Sequence, residues 1–402
     1  MKNERLLLLT LAAGMFTHIV DFMIIMPLGP QLQELFAINP RQFSLLVASY
    51  SVTAAVAGFL GAFFIDRYDR KSALLFIYAG FTIGTLACAF APTYEILLVT
   101  RSLAGAFGGI LGALILSIVS DAVPLARRAK GIGVVMASFG VASVVGVPFG
   151  LFIASKTSWH APFLVLGGLG VLVLVLMFYA IPVLRGHLDK ARTNDPVQVV
   201  KTIFTTRNTQ LGLTFTSLLM LGHFTIIPFV ATYMVANVGF TNGQLTYIYL
   251  VGGICTLLFS PWVGRMADKH GRLKIFTIFG SLVIIPILII TNLVPVPLWL
   301  ALFITAVFFI FSNGRMVPST TMETAVIAPE MRGSYMSIRS SVQQLTSGVA
   351  SFLAGLIITE RPSPFGGEIN ALGNYEIVGV VAVLFSIISL VVARRLTVVS
   401  EV

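Results

Sequence analysis

The segment Gly264–Lys274 reads GRMADKHGRLK and separates two long apolar runs of the chain. A related segment, DRYDRK at residues 66–71, aligns with it when the numbering is shifted by 202 positions. Further pairs share this offset: Gln42 with Gln244, Asp121 with Glu323, and Lys130-Gly131 with Arg332-Gly333. We therefore expect a duplicated unit in which each copy contains six long apolar runs.

Apolar residues dominate the chain, which is 57% hydrophobic and only 10% charged, with a mean hydropathy of +0.95. A water-soluble domain carries about 25% charged residues. A helix of about 20 apolar residues crosses a bilayer, whereas an isolated strand leaves its backbone groups unsatisfied in lipid. The twelve predicted spans are 6–28, 43–65, 73–91, 96–120, 131–155, 162–184, 210–236, 243–266, 274–294, 298–326, 333–359 and 376–396. This pattern predicts an all-α integral membrane protein with twelve transmembrane helices in two six-helix pseudo-symmetric halves.

The net charge of +10 comes from lysines and arginines concentrated in alternate loops. One side of the predicted membrane receives only Arg41, Lys156 and Arg361, and the other basic loops lie on the side of the N-terminus. By the positive-inside rule, both termini are cytoplasmic in a multi-pass plasma (inner) membrane protein, and the number of spans is even. The same distribution argues against nucleic-acid binding.

Two connections are long enough to divide the chain. We expect an N-terminal half at 1–184, a cytoplasmic linker at 185–209 that could hold an amphipathic helix, and a C-terminal half at 210–402. Residues 360–375 are rich in proline and glycine, so we expect an irregular external segment and no strands. Cys88 and Cys255 lie inside predicted spans and predict neither a disulfide framework nor a metal cluster.

Several motifs resemble those of the major facilitator superfamily, close to its drug:proton antiporter and sugar-efflux branch. Gly264–Lys274 is similar to the family's G-x-x-x-D-[RK]-x-G-R-[RK] loop, and Arg101 with Gly105 is similar to its R-x-x-x-G element. The first loop copy departs from the pattern, because Ala62 and Asp69 occupy the two glycine positions. The resemblance covers essentially the whole chain and implies transport by alternating access.

The paired loops predict a cytoplasmic gate. Each loop carries an acid at the end of one span and an arginine after it. The arginine can form an ion pair with an acid at the end of span four or ten, and the acid can meet the positive end of a neighbouring helix. The predicted gate residues are Asp66, Arg70 and Asp121 in one half and Asp268, Arg272 and Glu323 in the other. The alternative is that these charges are solvated and only set the topology, with about 0 to 1 kcal/mol per exposed pair.

A polar stripe on span one predicts a site of proton coupling. Asp21 is the only acidic side chain deep within a predicted span, and it shares this stripe with His18. The 202 offset places His223 opposite Asp21, and Arg101 lies at a similar depth on span four. Ionisable groups in the membrane are costly and usually functional. The alternative is a fixed pair of Asp21 with Arg101 or His18 that ties helices together.

Polar groups of spans ten and eleven predict a substrate site. Arg315 lies near the inner middle of span ten, whereas Arg339 is near enough to the cytoplasmic end of span eleven to reach water instead. The remaining candidates are polar or aromatic side chains that would line the same pocket: Asn313, Gln343, Gln344, Phe22 and Tyr50.

These features favour a secondary transporter that exports a small organic solute in exchange for protons. Proton-coupled uptake is the alternative within this class, and a membrane sensor that does not transport is a further one. An enzyme is not expected, because no nucleophile with an adjacent base stands at convincing spacing. No nucleotide-binding P-loop is present, so we do not expect transport to be driven directly by ATP. We expect no cofactor, and the expected partners are the solute, protons and the lipid bilayer of a monomeric protein.

Overall fold

The structure, a computed structural model, describes residues 4–185, 196–327, 331–365 and 369–397. Helices make up most of this part of the chain. The helices of spans one to six are α1 (Glu4–Ile24), α2 (Gly29–Phe36), α3 (Pro40–Phe64), α4 (Arg70–Ala89), α5 (Tyr94–Ala122), α6 (Leu125–Val141), α7 (Val147–Lys156) and α8 (His160–Ala180). The later helices are α9 (Pro196–Thr205), α10 (Arg207–Phe224), α11 (Ile227–Ala236), α12 (Asn242–His270), α13 (Arg272–Leu282), α14 (Ile284–Thr291), α15 (Leu298–Thr324), α16 (Arg332–Ile357) and α17 (Tyr375–Ala393).

Within the described ranges, eleven helical segments are long and apolar enough to cross a membrane. The predicted span eleven is α16, whose 26 residues give a length of about 39 Å but whose composition is more polar. This helix packs against α3 of the other half, and a methyl group added at Gly348 would lie 3.2 Å from the backbone oxygen of Ala48. Because α16 faces protein along this side, it needs fewer apolar residues than a helix surrounded by lipid.

The duplicated register is visible where helices begin and end. Helices α3 and α12 begin 202 positions apart, and so do α4 and α13. Helices α5 and α15 end 202 positions apart. Asn39 begins α3 with a capping box in which it exchanges hydrogen bonds with Gln42, and Thr241 does the same with Gln244 at α12. Each box satisfies backbone N–H groups that a helix start leaves without partners. The two halves therefore share local structure as well as sequence pattern.

Prolines lie near the places where predicted spans are interrupted. Span one ends as a helix at Ile24 instead of reaching residue 28, and the chain turns past Pro27 before α2 begins. Span five contains a π-helical turn at Ala142–Gly146, followed directly by Pro148 in the first turn of α7. Proline lacks a backbone N–H and clashes with the preceding turn, so these positions favour a break or a local rewinding.

The segment after α16 corrects one expectation. Strands β1 (Thr359–Arg361) and β2 (Ala371–Gly373) pair antiparallel, although we expected no strands and an irregular loop at 360–375. The side chain of Asn237 receives a 2.8 Å hydrogen bond from the Leu372 N–H and donates one of 2.9 Å to the Leu372 carbonyl. The rule against strands applies to lipid, and this hairpin lies beyond the helix ends, where polar partners can satisfy its outer edges.

The predicted linker at 185–209 falls partly outside the described residues, which omit 186–195. Helix α9 occupies its second part and is separated from α10 by Thr206 alone. Thr209 of α10 donates a hydrogen bond of 2.6 Å to the carbonyl of Ile203 in α9. The end of the linker is thus attached to the first helix of the C-terminal half.

Candidate functional site

The two halves meet around a pair of equivalent aromatic residues. Phe22 of α1 and Phe224 of α10 are 202 positions apart, and their ring centroids lie 6.0 Å from each other. Because equivalent residues touch only near a pseudo-two-fold axis, this pair marks the axis. Asp21 and His223, which precede the two phenylalanines, therefore stand on opposite sides of it. The seam predicted from the sequence thus runs between an acidic and an imidazole group.

The N-terminal side of the seam holds a buried ion pair. Asp21 Oδ2 lies 3.0 Å from Arg101 Nη1, and both side chains are 0% exposed. The same nitrogen donates a second hydrogen bond, of 3.1 Å, to the Asp21 carbonyl. Among the described residues, Asp21 Oδ1 and the other two guanidinium nitrogens of Arg101 have no hydrogen-bond partner. The buried hydroxyl of Thr85 is the nearest further donor to this carboxylate, but it makes no hydrogen bond of full geometry, so Asp21 Oδ1 is only weakly compensated.

Tyr50 connects this ion pair to His18. Its ring lies 4.5 Å from the Arg101 guanidinium carbon, a cation–π contact, and its hydroxyl lies 3.1 Å from His18 Nδ1. Tyr50 also packs against Phe22, with ring centroids 5.4 Å apart. Of the two fixed pairs considered from the sequence, the structure contains Asp21 with Arg101, and His18 instead contacts Tyr50. The three predicted coupling residues of this half therefore belong to one cluster.

The C-terminal side of the seam carries a cation in place of an ion pair. His223 Nδ1 lies 3.0 Å from the Ser312 hydroxyl, and Arg315 Nη1 donates a hydrogen bond of 2.8 Å to the Ser386 hydroxyl. Arg315 is only 1% exposed, and its Nε and Nη2 have no partner among the described residues. The sequence analysis missed Ser386, although it is one of two serines in the middle of the apolar span twelve, and such serines are a signal for a polar contact between helices.

Helix α15 presents its polar residues on one buried face. Ser312, Arg315, Ser319 and Glu323 follow one another at spacings of three, four and four residues, which place them on one side of a helix, and all four are buried. The last of them, Glu323, pairs with Arg339 of α16 and accepts a hydrogen bond from the Thr216 hydroxyl of α10. This face of α15 is therefore directed into the C-terminal half.

The expected bridge between Arg272 and Glu323 is not formed in this structure, where Glu323 has other partners, and the gate role of these residues stays a prediction. The buried face of α15 directs its carboxylate toward α10 and α16, where Arg339 and Thr216 bind it. Arg272 is exposed and lines a cavity of about 420 Å³ together with Asp268. In this conformation the predicted C-terminal gate is not assembled.

The residues of the predicted N-terminal gate make different contacts. Arg70 Nε lies 2.9 Å from Asp121 Oδ2, as the sequence predicted, and the side chain of Asp66 lies outside the described residues. Asp69 caps α4 by accepting a hydrogen bond of 3.0 Å from the Ser72 N–H. Its other oxygen accepts a hydrogen bond of 2.9 Å from the Leu184 N–H at the end of span six. The aspartate at a family glycine position thus has a structural use in this chain.

The remaining substrate candidates do not form one group. Arg339 is occupied by Glu323, so it does not extend into the seam as a separate cation. Asn313 Nδ2 donates hydrogen bonds of 3.1 Å to the Thr256 hydroxyl of α12 and of 3.0 Å to the Phe309 carbonyl. Gln343 and Gln344 are half-buried on α16. Their assignment to substrate binding stays a prediction.

The sequence did not predict a contact between the two halves at the short helix α2. Gln33 of α2 donates a hydrogen bond of 2.8 Å to the Thr232 hydroxyl of α11, and both residues are buried. Phe43 and Phe229 pack edge to face beside it, with ring centroids 5.8 Å apart. The N-terminal and C-terminal halves therefore touch at the end of the seam where α1 leads into α2. Pro30 and the break after span one were the available signals for the short helix that carries Gln33.

Comparisons with known proteins agree with this architecture. The Major Facilitator Superfamily model matches residues 11–222 and 212–402. The MFS-type transporter YceJ of Bacillus subtilis is 27% identical over 346 residues, which cover 85% of this chain and 87% of YceJ. The multidrug resistance protein Stp of Mycobacterium tuberculosis is 30% identical over 176 residues, covering 44% of this chain and 33% of Stp.

A solved structure gives the same result for the fold. The crystal structure of a D-xylose-proton symporter superimposes with a TM-score of 0.76 at 17% sequence identity, covering 96% of each chain. The match to the family, the apolar helices and the two facing halves all agree. The chain belongs to the major facilitator superfamily and is a multi-pass membrane transporter, not an enzyme.

Proposed function

We propose that this transporter exports a small organic solute in exchange for protons, and that Asp21 carries the proton. The observation behind the proposal is the fully buried carboxylate of Asp21, which has one oxygen on Arg101 and the other without a partner in the described part of the chain. It directly precedes Phe22, whose ring meets Phe224 of the other half. A single site here can be opened to either side by rocking the two halves.

The chemistry of the pair suits a switch. In a low-dielectric site, protonation of Asp21 removes most of its attraction for Arg101, and arrival of water or solute favours the charged form again. The guanidinium keeps its charge throughout, since arginine does not lose its proton in proteins. Tyr50 and His18 connect this change to the surrounding helices through their contacts with Arg101 and with each other.

Export is favoured over uptake by two considerations. The loop and span motifs resemble those of drug:proton antiporters, and the relative Stp is named a multidrug resistance protein.

We further propose a monomer in the plasma (inner) membrane with both termini cytoplasmic, divided into halves at 1–184 and 210–402 by the linker at 185–209. Cysteines introduced in α9 should react with impermeant reagents only from the cytoplasmic side. Labelling from outside intact cells would overturn this orientation.

Reconstitution into liposomes tests both coupling and direction. Vesicles that contain the purified protein and carry an imposed pH gradient would be supplied with labelled organic acids, amino acids, sugars and cationic dyes. An antiporter accumulates its solute in vesicles with an acidic lumen, because protons leave as solute enters, whereas a symporter requires an alkaline lumen. Solute accumulation only with the alkaline lumen would overturn the export assignment.

The Asp21→Asn variant tests the proton carrier. Asparagine keeps the size and hydrogen-bonding capacity of the side chain but does not titrate, so gradient-driven flux should disappear while exchange of solute for solute continues. If Asp21 only neutralises Arg101, the single variant should be unstable and Asp21→Asn with Arg101→Gln should regain much of the loss. Gradient-driven flux equal to the parent's in well-folded Asp21→Asn would contradict the proposal.

A further inference from the structure

One buried arginine differs from its counterparts. Three other arginines with buried or half-buried guanidinium groups pair with carboxylates: Arg70 with Asp121, Arg101 with Asp21, and Arg339 with Glu323. Arg315 is 1% exposed, and its recorded hydrogen bond goes to the neutral hydroxyl of Ser386. Within the described residues it has no acidic partner. A charge this deep in a membrane protein is costly unless an anion compensates it.

The two free nitrogens of Arg315 lie on one edge of the guanidinium group. Ser386 occupies Nη1, and the nitrogens without partners in the described structure are Nε and Nη2. By the standard naming of arginine atoms, Nε–H and one Nη2–H point in parallel from the same edge. This edge is the geometry that binds a carboxylate through two parallel hydrogen bonds. Ser386 thus fixes the side chain by its third nitrogen and leaves the fork available.

The position of this edge connects it with the seam. Ser312, one helical turn before Arg315 on α15, contacts the His223 imidazole at 3.0 Å. His223 in turn packs edge to face against Phe224, with ring centroids 5.3 Å apart, and Phe224 faces Phe22 of the other half. The buried cation of Arg315 is therefore one helical turn away from a series of contacts that reaches the aromatic pair on the axis. Such a site suits a solute with a charged group at one end and an apolar body.

We propose that the Nε–Nη2 edge of Arg315 binds the carboxylate of the transported solute, an organic monocarboxylate with an apolar body. The proposal rests on the transport function proposed above and specifies its substrate class. A monocarboxylate neutralises the single positive charge of Arg315 one to one. A doubly charged phosphate or phosphonate would leave an excess negative charge in a medium of low dielectric constant, which is unfavourable. In this conformation the edge is closed to solvent, so the solute takes the place of neighbouring groups when it binds.

Equilibrium binding to the purified protein, with no pH gradient, tests the proposal. The probes are hexanoate and benzoate, each compared with its primary amide, which has nearly the same shape but no charge, and phenylphosphonate. We expect saturable thermal stabilisation by at least one carboxylate and none by its amide. Arg315→Gln should weaken carboxylate binding by about tenfold or more, since two charge-assisted hydrogen bonds are lost. Arg265→Gln, at an exposed arginine of α12, is the matched control and should bind like the parent.

Arg315→Lys retains the charge but lacks the two-nitrogen edge, so it should also bind less tightly while keeping a folded, charged site. If Arg315→Gln does not fold, Arg315→Lys replaces it in the binding measurement. Any one of three results would overturn the proposal. The carboxylates could fail to stabilise the parent, they could bind Arg315→Lys and the parent equally, or they could bind less tightly than phenylphosphonate. This binding measurement uses no pH gradient, so its outcome is separate from that of the flux measurement on Asp21→Asn, which tests proton coupling alone.

Discussion

The two copies of the charged loop share a sequence pattern but make different contacts. The loop at residues 66–71 is held by two contacts: Arg70 forms an ion pair with Asp121, and Asp69 caps α4. At residues 268–274 the equivalent arginine, Arg272, is exposed beside a cavity of about 420 Å³. A duplicated motif therefore fixes where the charged groups stand along the chain, and the surrounding helices decide which of them meet.

The choice of partner has a simple origin in the sequence. Glu323 pairs with Arg339, whereas the position equivalent to Arg339 in the first half is Ala137. Asp121 has no such competitor on span five and is bound by the loop arginine. Thr216 adds a further bond to Glu323, and its equivalent is Gly14. The C-terminal half thus holds its acid inside, while the N-terminal half holds it at the surface.

The largest expected effect comes from removing these two acids. Glu323→Gln leaves Arg339 without its anion in a nearly dry site and should lower the free energy of unfolding by about 3 kcal/mol. Asp121→Asn should lower it by about 1 kcal/mol or less, because the Asp121 side chain is 35% exposed. Thermal unfolding of the purified variants measures both. The double variant Glu323→Gln with Arg339→Gln should recover most of the loss, and equal losses for the two single variants would refute the contrast.

A smaller effect is expected on the balance between inward-open and outward-open states. If Arg272 is engaged only when the cytoplasmic side closes, Arg272→Ala or Asp268→Asn should shift that balance toward the inward-open state by about 1 to 3 kcal/mol. Cysteine accessibility from each side of the membrane reports the two populations. Lys269→Ala, which changes a neighbouring exposed cation of the same loop, is the control. Populations unchanged in both loop variants would mean that these residues do not act as a gate.

The sequence was sufficient for most of the fold, because apolar spans, loop charges and the 202 offset each report on the membrane directly. It also brought Asp21 and Arg101 to the same depth, and the structure pairs them. The offset could not predict partners, since Arg339 and Ala137 differ at one equivalent position and the packing of α15 decides which neighbour Glu323 meets. The pairing of β1 with β2 was missed because the second strand is held at Leu372 by Asn237, which is far away in the sequence.

The third prediction concerns Asp69, which stands where the second loop has Gly271. Partial burial by itself would raise the pKa of Asp69, but hydrogen bonds donated by the Ser72 and Leu184 amides outweigh it, and the net pKa lies below the ordinary 3.8. Asp69→Ala should destabilise by about 1 kcal/mol, the usual value of a helix N-cap. The difference from the parent should be complete above the unfolded-state pKa and should shrink as the pH falls through the lower folded-state value.

Thermal unfolding of the parent and Asp69→Ala from pH 7 downward measures this dependence. Gly271→Ala provides the matched change in the other loop, where φ is +93° and only glycine is relaxed. It should cost about 1 to 3 kcal/mol of backbone strain, and this cost should not vary with pH. A pH-independent loss in Asp69→Ala would show that its carboxylate does not provide the cap.

The smallest effects are expected at the outer helix starts, where the two halves do behave alike. Gln42 closes the capping box of α3 by accepting a hydrogen bond of 3.0 Å from the Asn39 N–H, and Gln244 accepts one of 2.9 Å from the Thr241 N–H at α12. Gln42→Ala and Gln244→Ala each remove one such bond from an exposed helix end, so each should cost about 0.5 to 1 kcal/mol and the two losses should agree closely. Because the sites are far apart and share no partner, the double variant should show the sum of the two. Unequal losses here would mean that the asymmetry of the cytoplasmic loops extends through the whole of each half, whereas equal losses confine it to the side where Arg339 and Asp69 alter the contacts.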